Sequence, residues 1–420
     1  MKKIFVIIDG VSDKPCRNLE GNTPLESAQK PNLDNLTENG TLGFMYPLKK
    51  ESIPDSDTAI TSILGYKPFM ESRGVLEAIG AGINFTRGDL ILRTNFATID
   101  NFENKKLIDR RAGRTLTKGQ IKEISNSINK NQKLDHRFEY IPTQEHRGLL
   151  IIRGGFSDNI SNTDPKYEFI TKTDSKVLFS KPLDDEENSQ LSADLVNNIT
   201  KKIYDLLEFH PVNLERKKKG LLPANILLFR DAGNEKPDFR KIKRKWAAFA
   251  YTPLAKGISI SCGMDLEKVE KPEIKGLDFY AQQEKFLKKI AQKAKKFTLK
   301  KLKSHECLFI HFMETDLPGH DNKPLEKTKM IEILDKEFFS CLKDLKEKDL
   351  EIIITSDHTT ACSQKQHTSD PVPLLVYGRI DKRSKKKIID ETNSFTEEQA
   401  KTGALREIYG KEFMKKIMKI

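Results

Sequence analysis

The 420-residue chain has little cysteine. Its five cysteines are odd in number and form no C-x-x-C pair: Cys16, Cys262, Cys307, Cys341 and Cys362. A disulfide-stabilised secreted domain or a zinc ribbon would need paired, closely spaced cysteines. This sparse usage is typical of a reduced, intracellular protein, and we expect the thiols to be buried.

Long apolar runs are also missing. No stretch approaches the roughly 20 residues of a membrane-spanning helix. The N-terminal MKKIFVIIDG has too short an apolar run for a signal peptide and lacks a small-residue cleavage site. We therefore expect a cytoplasmic protein with no membrane partner.

The nucleic-acid and nucleotide signatures are absent as well. The 73 Lys and Arg exceed the 61 Asp and Glu, for a net charge of +12, but no basic run is interleaved with stacking aromatics and there is one tryptophan. Much of the lysine is dispersed over residues 285–303 and 382–387, which is typical of a solvated surface. Because no G-x-x-x-x-G-K-[ST] loop occurs, a nucleotide-binding kinase is poorly supported. The positive charge fits small anionic substrates, and we expect no nucleic-acid partner.

What the chain does have is metal-ligand chemistry at predicted strand ends. One apolar run ends in Ser356-Asp357-His358, and His367 follows in a proline-bounded loop. Another apolar run leads to Asp316, with His320 four residues later. The first strand, residues 3–8, stops at Asp9. A lone Asp there is more often a helix cap or turn residue, but open α/β sheets place their sites at the carboxyl ends of strands, and several such ends predict a metal site.

A serine stands at the start of a predicted helix in Pro54-Asp-Ser-Asp-Thr-Ala-Ile. Capping is the ordinary interpretation of Asp55, Asp57 and Thr58. The functional interpretation makes Ser56 a nucleophile, since helix N-termini favour an incoming phosphate. A serine hydroxyl needs a base or a metal to react, and two divalent ions would activate it and hold a phosphoryl group.

The order of predicted elements indicates two domains. Strands alternate with helices in residues 1–68 and 222–420, which predicts one mainly parallel sheet covered on both faces. The intervening residues 69–221 differ in character and predict an inserted domain, with a cleft between the two. The strand-end ligands all fall in the split core domain.

The insert and the residues just after it concentrate arginine. The loop 109–114, DRRAGR, puts three guanidinium groups beside glycine. Surface salt bridging is the ordinary interpretation of any single arginine, but bidentate binding of phosphate or carboxylate is what arginine does best. The candidate residues are Arg73, Arg93, Arg110, Arg111, Arg114, Asp164 and Arg230.

Taken together, these segments resemble the archaeal-type 2,3-bisphosphoglycerate-independent phosphoglycerate mutases of the alkaline phosphatase superfamily. The likeness spans nearly the whole chain. It rests on IIDG (7–10), SDTA (56–59), EAIGAGI (77–83), NFATID (95–100), DRRAGR (109–114), TDP (163–165), GHD (319–321), SDH (356–358) and HTSDPVPLLVYG (367–378). Each motif is weak alone, and the set is highly specific.

The resemblance implies an alkaline-phosphatase-like α/β core with an inserted α+β substrate domain. It implies one divalent ion on Asp9, Ser56, Asp357 and His358, and a second on Asp316, His320 and His367, with Mn²⁺ the usual ion and Mg²⁺ the alternative. Ser56 would take the phosphoryl group of 3-phosphoglycerate as a phosphoserine and return it to the other hydroxyl, without 2,3-bisphosphoglycerate. The partner would be a small phosphorylated substrate, and a homo-oligomer stays open.

Three departures from the family pattern bear on substrate contacts. Leu317 replaces an acidic residue, Asp231 stands in place of glycine in R-G-A-G, and Lys166 follows Thr-Asp-Pro where histidine is common. A metal-dependent phosphomonoesterase or another phosphomutase on the same core is therefore the alternative enzyme. An RNA-binding protein on an inactive core is the alternative from another class, and the intact ligand set argues against it.

Overall fold

The computed structural model describes residues 1–67, 73–130, 136–144, 146–165, 175–269, 279–342, 345, 349–381, 383–384 and 386–419. The strands are β1 Lys2–Ile8, β2 Gly40–Tyr46, β3 Leu90–Ile99, β4 Leu107–Asp109, β5 Phe138–Gln144, β6 Arg147–Ile152, β7 Ile226–Gly233, β8 Trp246–Phe249, β9 Asp265–Leu266, β10 Cys307–Phe312, β11 Leu350–Thr355, β12 Thr359–Ala361, β13 Gln366–Thr368, β14 Val372–Tyr377 and β15 Arg406–Tyr409.

The helices are α1 Pro24–Ser27, α2 Pro31–Glu38, α3 Ser56–Ile63, α4 Arg73–Gly80, α5 Lys118–Lys130, α6 Glu187–Glu208, α7 Pro211–Lys218, α8 Pro253–Ser261, α9 Phe279–Lys301, α10 Asp316–His320, α11 Pro324–Leu334, α12 Ser340–Leu342, α13 Glu397–Thr402 and α14 Gly410–Phe413. Two π-helical turns, Asp335–Phe339 and Met414–Met418, follow α11 and α14. None of the helices in the described ranges combines the length and apolar character that a bilayer crossing requires.

The chain divides into two units, Met1–Phe69 with Phe239–Ile420, and Met70–Asp238. The first unit is built on a sheet of strand order β15-β2-β14-β11-β1-β10-β8-β9. Only its β14 runs against its neighbours, β11 and β2. Because parallel strands need crossover helices on both faces, their residues are buried on both sides, as throughout β10 and β11. This is the mainly parallel α/β core that the sequence predicts.

The second unit is an α+β arrangement. Its sheet has the order β4-β3-β6-β5, with β7 also paired to β3, and every pairing is antiparallel. Alternate residues of the long central strand β3 face different apolar clusters. Leu90 and Leu92 pack in the cluster that contains residues of α5 and α6, whereas Ile91 packs with Val75 of α4.

The boundary predicted after residue 221 needs correction. The sequence predicts that the core resumes at residue 222, yet β7 lies beside β3, with Phe229 opposite Thr94 and Arg230 opposite Arg93. The second unit therefore runs on to Asp238. The other predicted boundary, between residues 68 and 69, lies outside the described residues. At the C-terminus, β15 adds a parallel edge strand to β2.

Candidate active site

The carboxyl ends of three neighbouring strands converge in the first unit. Strand β1 lies between β10 and β11 and is parallel to both, so that Ile7 is opposite His311 on one side and Thr355 on the other. The chain leaves β1 at Asp9 and β11 at Asp357. Parallel register therefore brings these carboxylates to one edge of the sheet, as the sequence predicts for strand-end ligands.

One donor cluster forms around His358. Its Nε2 atom is 3.1 Å from the Ser56 hydroxyl, 3.2 Å from Asp9 Oδ1 and 3.4 Å from Asp357 Oδ2. Helix α3 begins at Ser56, preceded by Asp55, whose backbone N–H donates to Thr58 Oγ1 at 3.2 Å. The cap therefore fixes the first turn of α3 and with it the position of the Ser56 hydroxyl.

A second donor cluster contains Asp316, His320 and His367. The Nε2 atoms of the two histidines are 3.2 Å apart, and each is within 3.5 Å of Asp316 Oδ1. Helix α10 carries Asp316 and His320 four residues apart, on the same face. Strand β13 supplies His367.

The hydrogen bonds of the two histidines in the second cluster determine which nitrogen of each ring faces Asp316. His320 Nδ1 is 3.0 Å from the Lys365 carbonyl, and His367 Nδ1 is 2.9 Å from the Pro54 carbonyl. A carbonyl only accepts, so each Nδ1 carries a hydrogen and each ring turns its Nε2 toward Asp316. Two lone pairs facing each other at this distance require a proton or a cation between them.

Thr360 orients ligands of both clusters. Its hydroxyl donates to Asp316 Oδ1 at 2.8 Å and therefore accepts from His358 Nδ1, which lies 3.0 Å away. The Nε2 lone pair of His358 consequently faces Ser56 and Asp9. Such hydrogen bonds commonly fix the tautomer of a metal-binding histidine. Gly10 permits this approach, because a Cβ there would stand 2.4 Å from Thr360 Oγ1.

The donors fit divalent cations. Asp357 is fully buried, and its Oδ2 accepts no hydrogen bond from any described residue. A buried carboxylate oxygen without a donor is costly unless a cation balances it. The donor set combines carboxylates with three imidazole nitrogens. Such a mixed set binds a transition-metal ion such as Mn²⁺ or Zn²⁺ better than a set of oxygen donors alone would.

The protonation equilibria of the histidines follow from the same contacts. Burial lowers the pKa of His358 to about 4, so its ring is neutral and available as a ligand. Burial also opposes protonation of His367, but hydrogen bonds to Asp316 and Asp55 outweigh it and raise the pKa well above the ordinary value. The Asp316 cluster therefore favours a positive charge at its centre.

Sequence reasoning missed His311, in the middle of β10. Its ring is buried, and neither nitrogen makes a hydrogen bond within the described part of the chain. His311 Nε2 lies 3.5 Å from Asp9 Oδ2, and His311 groups with Asp9 and Asp357 as a set of potential metal donors. A polar residue inside an apolar strand was the available signal. The sequence around Thr360 contains no comparable signal. Thr360 reaches Asp316 and His358 only because the β12–β13 pairing sets it opposite His367.

The predicted arginines of the second unit lie among buried acids. Arg93 Nε is 2.8 Å from Glu77 Oε1, which Arg73 Nε also approaches at 3.3 Å. The Arg93 guanidinium further donates to Asp231. Burial favours protonation of Asp231, but the charges of Arg93, Arg230 and Arg73 hold its pKa below the ordinary value.

Arg110 and Arg230 meet at Asp164. The Arg110 Nε donates to Asp164 Oδ1 at 2.8 Å, and its Nη2 bonds the same buried carboxylate. Arg230 Nε lies 4.0 Å from Asp164 and 3.8 Å from Asp231, and it makes no hydrogen bond among the described residues. Burial and the charges of Arg93 and Arg110 lower the pKa of Arg230 to about 9. An anion bound at this position would offset both causes, because its negative charge would stabilise the guanidinium cation.

The remaining predicted arginines flank this group. Arg111 precedes the turn Ala112–Arg114, and its backbone N–H donates to Asp109 at 2.7 Å. Burial, followed by the charges of Arg147, Arg114, Arg230 and Arg110, holds the pKa of His146 well below the ordinary value. Sequence reasoning missed His146 and Arg147.

The three departures from the family pattern lie in different places. Leu317 lies in α10 of the first unit, Asp231 contacts the arginines, and Lys166 lies outside the described residues.

The family profile and the most similar named relatives describe the same kind of enzyme. The profile of the family described as "2,3-bisphosphoglycerate-independent phosphoglycerate mutase" matches residues 37–213. A protein of that name from Saccharolobus islandicus is 37% identical over 414 residues, covering 96% of this chain and 94% of the relative. A solved Pyrococcus horikoshii protein has 30% identity and a TM-score of 0.74, covering 100% of this chain and 96% of its own. The cofactor-independent phosphoglycerate mutase from Thermoplasma acidophilum has 28% identity and a TM-score of 0.58, covering 100% and 99%.

Proposed function

Because this chain belongs to the family of 2,3-bisphosphoglycerate-independent phosphoglycerate mutases, we propose that it interconverts 3-phosphoglycerate and 2-phosphoglycerate through a phosphoserine formed at Ser56. The observation that carries the proposal is the Ser56 hydroxyl, 3.1 Å from His358 Nε2 and within the same donor cluster as Asp9 and Asp357. In this role the enzyme serves glycolysis and gluconeogenesis, and we place it in the cytoplasm.

The Ser56 hydroxyl must be activated before it can act as a nucleophile. His358 does not activate it by acting as a general base. With its pKa near 4, the His358 imidazole is too weak to take the proton of a serine hydroxyl at neutral pH. The ring instead offers a lone pair. A divalent ion, when bound, would lower the pKa of the serine hydroxyl and neutralise charge on the phosphoryl oxygens.

The two donor clusters are assigned to two ions. Asp9, Ser56, Asp357 and His358 would hold one, and Asp316, His320 and His367 the other. Mn²⁺ is the proposed ion, because carboxylate donors suit Mn²⁺ and Mg²⁺ while the imidazole donors favour a transition metal, with Mg²⁺ as the alternative. Since the phosphoryl group passes through Ser56, the reaction requires no 2,3-bisphosphoglycerate.

The arginine cluster of the second unit is assigned to the anionic groups of the substrate. Four guanidinium groups, Arg73, Arg93, Arg110 and Arg230, meet three carboxylates there, Glu77, Asp164 and Asp231. The excess positive charge and the unused Nε of Arg230 favour a phosphate or carboxylate. We include Arg111 and Arg114 in this assignment because they follow Arg110 closely, Arg111 just before and Arg114 at the end of the turn Ala112–Arg114.

The product formed from 3-phosphoglycerate tests the proposal. We expect the Mn²⁺-loaded protein to produce 2-phosphoglycerate without added 2,3-bisphosphoglycerate, detected by ³¹P NMR, and to release little inorganic phosphate. Release of phosphate without isomer would identify a metal-dependent phosphomonoesterase instead. Equal activity after chelation of all divalent ions would contradict the metal assignment.

A further inference from the structure

A buried pair of cysteines lies on the segments that follow β1 and β12 and belongs to neither proposed metal site. Cys16 is on the loop after β1, and Cys362 directly follows β12. Their sulfur atoms and a carboxylate oxygen of Asp13 all lie within 4.8 Å of one another. Cys16 Sγ is 3.9 Å from Asp13 Oδ1, which also accepts the backbone N–H of Cys362 at 2.9 Å. The two cysteines are thus held against each other by a shared acid.

A buried lysine joins the same two segments. Lys327 of α11 is fully buried, and its ammonium donates to Asp13 Oδ2 at 2.8 Å, the Ser12 carbonyl at 3.0 Å and the Thr360 carbonyl at 2.9 Å. All three N–H groups are therefore satisfied. The positive charge faces the loop after β1 and the β12–β13 hairpin.

The two thiols of the pair differ from each other in acidity. The hydrogen bond from Cys362, with the charge of Lys327, lowers the pKa of Cys16, although burial and the Asp13 carboxylate both oppose ionisation. The same hydrogen bond raises the pKa of Cys362, which keeps its proton. Burial raises the pKa of Cys262 to about 12 and that of Cys307 to about 11. Cys16 is thus the most readily ionised of these four, with a protonated thiol beside it.

We propose that Cys16 and Cys362 are a redox modification site, at which a peroxide converts the two thiols into a disulfide that joins the loop after β1 to the β12–β13 hairpin. The Cys16 thiolate attacks one peroxide oxygen, the O–O bond breaks, and hydroxide leaves as a sulfenic acid forms. The Cys362 sulfur then attacks the Cys16 sulfur and loses its proton, and water leaves. Two electrons pass from the sulfurs to the peroxide, and a thiol reductant reverses the change.

The disulfide would act on the proposed metal site, and this part of the inference rests on the proposed function. Bonded sulfurs are about 2.05 Å apart, so oxidation draws together two segments that are in non-covalent contact. Thr360 lies two residues before Cys362 and orients both Asp316 and His358. Displacing Thr360 therefore disturbs ligands of both clusters, and we expect oxidation to weaken Mn²⁺ binding about tenfold.

The first test asks whether the disulfide forms. The full-length protein, reduced and freed of metal, is treated with one equivalent of hydrogen peroxide, alkylated and digested without reduction. Mass spectrometry should find a Cys16–Cys362 cross-link, about 2 Da lighter than the two peptides with free thiols. It should disappear with dithiothreitol and be absent in Cys16→Ser. Cys262→Ser, which removes a buried thiol of raised pKa, should cross-link like the wild type.

Alkylation of both Cys16 and Cys362 after peroxide would overturn the proposal. A zinc ion that co-purifies with the reduced wild type and is lost in Cys16→Ser would also overturn it, in favour of a thiophilic metal site on Asp13, Cys16 and Cys362. Circular dichroism checks that each variant is folded.

The second test measures the coupling by Mn²⁺ titration calorimetry. Oxidised wild type should bind about tenfold more weakly than reduced wild type, whereas peroxide should not change the affinity of Cys16→Ser. A disulfide that leaves Mn²⁺ affinity unchanged would contradict the coupling. Reduced protein that binds no Mn²⁺ yet forms the disulfide would refute the proposed metal site and leave the redox site standing.

Discussion

The Nε2 atoms of His320 and His367 face each other at 3.2 Å, each within 3.5 Å of one oxygen of Asp316. Backbone carbonyls hold the hydrogen of both rings at Nδ1. The two Nε2 atoms are therefore directed at one point, where a bound ion would replace the proton that Asp316 favours on His367. This orientation lowers the reorganisation that metal binding would require.

Removing the proposed nucleophile should stop the reaction without removing the fold. We expect Ser56→Ala to lower the rate of phosphoglycerate interconversion by at least about 10³-fold, since the remaining groups cannot form the phosphoserine. Mn²⁺ should still bind, because six other donors remain. The assay is ³¹P NMR of the isomers, with Ser62→Ala, which removes another hydroxyl from α3, as the matched control. A near wild-type rate for Ser56→Ala would rule out the covalent route.

Thr360 gives a test of ligand orientation. Thr360→Val keeps the side-chain shape but loses the hydroxyl that bonds Asp316 and His358. We expect Mn²⁺ affinity measured by calorimetry to fall about tenfold. Thr360→Ser, which retains the hydroxyl, should restore most of it. Unchanged affinity in Thr360→Val, with a loss confined to Thr360→Ser, would mean that the methyl group and not the hydroxyl matters.

Arg230 is the sharpest test of the arginine cluster. Arg230→Lys keeps the charge but loses the planar guanidinium, and we expect KM for 3-phosphoglycerate to rise about tenfold with metal content unchanged. Arg87→Lys, at an exposed arginine of the same unit, is the control. A parallel loss of metal would point to a structural role. Arg110→Ala is less informative, because it would also remove the guanidinium that bonds the buried Asp164 through Nε and Nη2, so a loss of stability would accompany any loss of substrate binding.

Glu397 should make stability depend on pH. Burial raises its pKa from 4.5 to about 7, while it accepts hydrogen bonds from the Asp13 backbone and Thr23. The folded protein thus binds this proton more tightly than the unfolded chain, so the contribution of Glu397 to stability falls as pH rises from 4.5 to about 7.

Replacing Glu397 with glutamine removes that dependence. Relative to Glu397→Gln, the wild type should lose up to about 1.4 kcal/mol of unfolding free energy per pH unit within this window. Urea denaturation at pH 5, 6 and 7 gives the difference. Parallel pH profiles for the two proteins would show that Glu397 ionises at its ordinary pKa.

The sequence revealed the parts of the site that chain order alone can mark. An apolar run followed by Asp9, or by Asp357 and His358, is a local pattern, and parallel register then brings such ends together. The likeness of the chain to a known family grouped the same residues. The arginines were marked by composition, but their pairing with Glu77 and Asp164 depends on contacts distant in sequence.

What the sequence did not reveal depends on long-range pairing. Strand β7 looks the same in sequence whichever sheet it joins, and its place beside β3 is a choice among distant partners. Thr360 and Lys327 act through the hairpin and α11, where no local motif marks a hydroxyl or a buried ammonium as an orienting group. The edge strand β15 is four residues long, too short for an alternation of polar and apolar residues to be recognised in the sequence.

The most direct test of the central claim is the covalent state of Ser56 during turnover. Mn²⁺-loaded protein mixed with 3-phosphoglycerate is quenched in acid within milliseconds and analysed by intact and peptide mass spectrometry. We predict a gain of about 80 Da, that of one phosphoryl group, on the peptide containing Ser56 and none in Ser56→Ala. Isomer formation with no phosphorylated Ser56 at any time point, or a phosphoryl group on another residue, would contradict the claim.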